Sequence, residues 1–277
     1  MGDSIHEQTD QNIPENVYLR NWLEKNEYFI KRDEFVKRQK ARVEKQLLEV
    51  GCDQNLVGDM AVVVSRGAYL FNLMCSVLKV EEKVSTKLVW PSNMPMERTT
   101  RGQASFFIDV NGEPSESIEL ELNSAKEGKS VTLNRAEVVV NLREIKKVAA
   151  QMIRYEESGD DLAKRGEIEE GSGKKMRQEG LEELAIKTEE CVVEEVAHVL
   201  YVHSMFKDKS RLIKWLESML NYSPHLPGDE ESLIKIDTEE ERKMRKEKYT
   251  DTDIEKKARV LKKLFLKKYY PNFEDRE

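Results

Sequence analysis

Between residues 189 and 203 the sequence reads EECVVEEVAHVLYVH, which sets Glu194 and Glu195 four and three residues ahead of an imidazole, His198. With a helical step of about 100° per residue, His198 lies about 40° round from Glu194 and Glu195 about 100° round, so the three share one side. Val192, Val193, Val196, Val199 and Leu200 fill the other side. Cys191, Tyr201, Val202 and Met205 project onto the polar side at neighbouring turns, a set that an exposed face rarely carries. The helix is therefore expected to be covered nearly all round. Buried carboxylates and imidazoles must be paired, protonated or bound to a metal. Two chemistries fit: metal-assisted hydrolysis with a general base, or a structural helix whose His198 is satisfied by a neighbour.

The order strand, helix, helix carrying Glu-x-x-His resembles the zincin-like metallopeptidases, especially the gluzincin type, over about residues 104–221. In that family the helix reads His-Glu-x-x-His, two histidines hold zinc and the glutamate activates the bound water. The resemblance implies Glu195 as general base and His198 as a metal ligand. It implies Glu217, in RLIKWLESML and nineteen residues beyond His198, as the ligand from a following helix. It also implies AEVVVNL, residues 136–142, as a substrate-aligning edge strand. Glu194 stands where the family has its first histidine. Zinc accepts carboxylate oxygen, so Glu194, His198 and Glu217 would form a three-ligand set with an open position. Two anionic ligands weaken the Lewis acid and favour Mn or Mg over Zn relative to the family set. The implied cofactor is zinc or another divalent metal, and the implied substrate is a peptide or protein. The expectation is a metallopeptidase-like pseudoenzyme with an altered metal site, an active metal-dependent peptidase being one alternative. A noncatalytic helical interaction or scaffold protein, using its charged terminal helices, is the alternative from another class.

The elements that must position these residues give an α+β expectation: N-terminal helices, a small mainly antiparallel sheet and C-terminal helices around a zincin-like core. Residues 1–13 read as a tail, and 14–90 as a helical region broken at VGCD by Gly51 and Asp53. The core spans 104–221. Its strands are SFFIDV, SIELELN across the NGEP turn, VTL and AEVVVNL. Residues 158–180 are polar, without a packing signal, and are expected to form a mobile loop; helices follow over 181–206 and 210–221. Residues 222–277 form a charged C-terminal helical extension in which Val260, Leu261, Leu264 and Phe265 dock and the lysines face solvent.

Composition narrows the function classes. A net charge of −7 argues against nucleic acid or an anionic membrane as partner. Three dispersed cysteines give no metal knuckle or disulfide framework, which fits a reducing cytoplasm. The acidic N-terminal stretch is not a signal peptide, and no apolar run is expected to span a bilayer. A di-iron bundle needs a second Glu-x-x-His, and His6, His203 and His225 supply none. His203 falls on the valine side, and His225 lies in a loop. No phosphate-binding glycine loop or Gly-x-Ser-x-Gly elbow occurs.

Overall fold

Three short polar residues start three of the helices. Asp53, Ser117 and Asn141 each accept a hydrogen bond from a backbone amide of the following first turn, which satisfies donors that a helix start leaves open. The computed structural model describes residues 22–80, 83–92, 102–222 and 253–273. Its helices are α1 (Lys25–Glu49), α2 (Gln54–Val77), α3 (Ile118–Glu127), α4 (Leu142–Lys164), α5 (Ser172–Met205), α6 (Lys209–Tyr222) and α7 (Asp253–Tyr269). Its strands are β1 (Ser85–Val89), β2 (Gly102–Val110), β3 (Glu113–Pro114) and β4 (Val131–Val140). The fold is α+β; the described residues are 69% helical, with helices at both ends of a small mixed sheet. The tail, His6 and His225 lie outside the described residues.

The sheet runs β1-β4-β2-β3. β4 is antiparallel to β2 and parallel to β1, and β2 pairs antiparallel with β3. Asn111 and Gly112 both have positive φ at the β2–β3 turn, the conformation that suits a tight hairpin. Ala104, Phe106, Ala136 and Val138 share one face by register, and this face lies against α5. At its start, Gly102 sits so close to α5 that a Cβ would collide with the Cys191 sulfur and the Val139 carbonyl. The opposite face carries exposed Ser85, Lys87 and Arg135, the last over the Phe107 ring at 4.0 Å.

Several expectations are corrected. Residues 118–122, expected as a strand, open α3. Ser117 caps the helix, Glu119 and Glu121 favour its first turn, and Gly128 closes it at φ 82°. Leu122 and Ala125 then share a buried face while Leu120 is 46% exposed, so the helical period wins over the apparent alternation. VTL and AEVVVNL lie on one strand, β4, and β1 was not expected. Residues 158–180 are mostly helical, with α4 and α5 extending to a short turn at 165–171. The 24-residue α2 is also long and apolar enough to cross a membrane by length and composition, contrary to expectation; here most of it is buried in protein.

The main core gathers α1, α2, α4, α5, α7 and the sheet around Tyr28, Met60, Leu70, Val193 and Phe265. Tyr269 of α7 stacks on Tyr28 at 4.1 Å and on Trp22 at 5.8 Å between ring centroids. A smaller core joins α3 to α6 through Leu122, Ala125, Leu212, Trp215 and Leu216.

Gly159 of α4 and Gly173 of α5 meet backbone to backbone, and a Cβ on Gly173 would overlap the Glu156 carbonyl. Gly173→Ala should force the helices apart and cost about 1–3 kcal/mol, the usual penalty of overpacking. Urea denaturation of the variant against the parent measures it.

Candidate functional site

From residue 184 to 202 α5 is covered on nearly every side, so its polar residues there are buried or half-buried with it. Glu189 is fully buried, and Glu195 and His198 are 8% and 7% exposed. Each needs a partner, and each finds one on another element or on the next turn.

His198 is held from both sides. Its Nδ1 lies 2.9 Å from Glu195 Oε2, and its Nε2 lies 3.1 Å from Oε1 of Glu255 on α7. The second contact is an ion pair without good hydrogen-bond alignment. Burial alone would depress the imidazole, but the two carboxylates overturn that and push its pKa up to about 10. At neutral pH His198 is therefore an imidazolium. Glu194 pairs with Lys262 of α7 at 3.5 Å. Burial raises the Glu194 carboxyl, and Lys262 opposes the rise.

A second polar centre lies further back along α5. Arg66 of α2 donates from Nε and one terminal nitrogen to the two oxygens of Glu189, at 3.0 and 3.2 Å. Its other terminal nitrogen reaches Glu182 at 2.6 Å. The Tyr270 hydroxyl donates to Glu189 and accepts from Arg66 and from Arg32 of α1, each at 2.9 Å. Burial works against the charge on Arg66, and Glu189 more than restores it. Glu255, Lys262 and Tyr270 thus meet His198, Glu194 and Glu189 in turn, so α7 runs antiparallel along α5, pinned at three levels.

The structure brings Glu194, Glu195 and His198 together as expected, and leaves Glu217 apart from them. Glu217 points from α6 toward α3, where Lys126 binds it at 2.8 Å and both side chains are about half exposed. It is not among the charges acting on His198. His203 is half-buried, its pKa lowered by burial and then by Lys207 and Lys83.

The donor set does not fit a catalytic metal. A ligating imidazole is neutral and offers a free nitrogen, with its other nitrogen fixed by a neighbour. Here both nitrogens face carboxylates, so in this arrangement neither is free for a metal. Among the described residues, no group of three or more His, Cys, Asp or Glu side chains is placed to hold a metal.

No family model, curated protein or solved structure matches the chain.

Three partners were missed from sequence, and each leaves a trace there. Glu189 projects at about 220° on the α5 wheel, inside the valine arc. Arg66 is a lone cation in the apolar run VVVSRGAYLF. Glu255 heads the stripe Glu255, Ala258, Leu261, Phe265 and Tyr269, all buried.

Two outcomes are expected. Glu189→Gln leaves Arg66 without its buried charge partner, with only the half-exposed Glu182 remaining, and should cost about 3–5 kcal/mol, while Arg66→Met with Glu189→Leu should cost less than that single change; chemical denaturation compares them. For His198, the folded pKa of about 10 exceeds the ordinary 6.5. Its stabilisation is full below pH 6.5 and is lost as pH rises toward 10, with a slope of up to ~1.4 kcal/mol per pH unit. Urea midpoints should fall between pH 7 and 9, below the range where unfolded tyrosines ionise, and His198→Gln should flatten that fall. The groups facing His198 are Glu194 and Glu195 from α5, with Glu255 and Lys262 from α7.

Proposed function

We propose that this chain is a noncatalytic helical binding or scaffold protein, and that its Glu-Glu-x-x-His helix is a structural clasp rather than a metallopeptidase centre. One observation carries the reading: the His198 imidazole lies between Glu195 and Glu255, with a carboxylate at each nitrogen. Glu195 as general base would first have to give up its contact with His198 Nδ1, which lies 2.9 Å away.

The partner implied is a peptide or protein. α1 supports this, because it presents Ile30 and Leu48 at 60% and 41% exposure, with Val50 just after it at 53%. Exposed Lys37, Arg38, Lys40, Arg42 and Lys45 lie between them on the same helix, in a chain whose net charge is −7. That mixture suits an acidic amphipathic partner segment.

The rival reading, a zincin-like relative with an altered site, draws support from the buried contact between Glu195 and His198 at 2.9 Å. Metal analysis of untagged protein after equilibration with Zn2+ or Mn2+ separates the two. The proposal expects no stoichiometric metal, and no gain in zinc affinity from Glu194→His. Tight metal that disappears in a folded His198→Ala variant would instead establish the zincin-like site.

A further inference from the structure

The face where α1 ends, α2 starts and α4 starts holds a half-open cavity of about 720 Å³, within the range of small-molecule sites. Its floor is apolar: Leu56, Met60 and Leu142 are 5%, 0% and 5% exposed. Its wall is basic. Arg143, Lys146 and Lys147 line it, and Asp53 is the acid among the lining residues. Three cations against one anion leave a formal excess of two positive charges, in a protein whose total is −7.

These cations are only partly used. Lys146 donates to the Gly51 carbonyl at the end of α1, at 3.0 Å. Lys147 reaches Glu144 at 3.7 Å, with Lys147 66% exposed. Arg143 has no side-chain hydrogen bond or ion pair among the described residues. The positive ends of α2 and α4 open beside the same space. Their first-turn amides are already taken by Asp53 Oδ1 and Asn141 Oδ1, so these helices add field rather than donors. A ligand here meets guanidinium and ammonium groups above an apolar floor.

We propose that this cavity binds a phosphomonoester whose organic part is apolar, its dianionic head on Arg143 and Lys147 and its body over Leu56, Met60 and Leu142. The two excess charges match a phosphate dianion, and the bidentate fork of Arg143 suits its oxygens. The site is separate from the His198 cluster and independent of the reading given to it. Cys52 borders the cavity and reports on it. Burial raises its pKa, which slows its reaction with a maleimide without abolishing it. It is also the most open of the three free thiols, because Cys75 and Cys191 are buried.

The test titrates the full chain with 2-naphthyl phosphate, 2-naphthol and inorganic phosphate by calorimetry, and follows N-ethylmaleimide alkylation of Cys52 by mass spectrometry. The proposal expects saturable binding of 2-naphthyl phosphate below about 1 mM, at least tenfold tighter than either fragment. Bound ligand should slow Cys52 alkylation. Arg143→Glu with Lys147→Glu, both surface positions, should weaken binding at least tenfold with an unchanged circular dichroism spectrum and melting temperature. Arg143→Lys should retain part of it. Absence of binding, equal affinity for 2-naphthol, unaltered Cys52 alkylation in the complex, or binding that survives the double reversal would each overturn the proposal.

Discussion

The pairing of Arg66 with Glu189 governs how the long α5 helix is set. Two charges taken out of water cost several kcal/mol each unless they meet in good geometry. Here a bidentate contact joins α2 to α5, and Tyr270 and Arg32 extend it to the chain's C-terminal part and to α1. A helix apolar on nearly all sides has little preference for one rotation about its axis. The ion pair removes that freedom, because a small rotation would strand Arg66 in the core. Once Glu189 is fixed, His198 follows nine residues and about 13 Å further on, facing α7.

The polar residues of α5 form a ladder of paired groups. Each rung couples a charge on α5 to a group in or just after α7: Glu189 with Tyr270, Glu194 with Lys262, His198 with Glu255. Ladders of this kind specify register between helices that apolar packing alone would let slide. Proton affinity at His198 is then a by-product of positioning, since the carboxylates that locate the ring also keep it charged.

Much of this was legible in the sequence. The burial of Glu195 and His198 followed from the apolar residues that share their side of the helix, whereas Glu194 is only half-buried; the strand β4 followed from its run of valines. The pairing was not legible, because Glu255 lies 57 residues beyond His198 and helical periodicity carries no information about which helix docks where. Glu217 illustrates the same gap: its spacing from His198 matched a ligand, yet the α3–α6 core turns α6 so that this carboxylate meets Lys126. Residues 118–122 misled for a local reason. A five-residue alternation cannot distinguish a strand from the exposed and buried sides of a short capped helix, and Ser117 with Gly128 decided it.

The stack of Trp22, Tyr28 and Tyr269 joins two ends of the described chain. During synthesis the partners of Tyr269 emerge more than two hundred residues before it does. Until α7 arrives, Glu194 lacks Lys262, His198 keeps only Glu195 and Glu189 keeps only its partners outside the C-terminal part, and the apolar side of α5 that α7 covers stays open. Apolar surface left open in this way is prone to aggregation until α7 covers it.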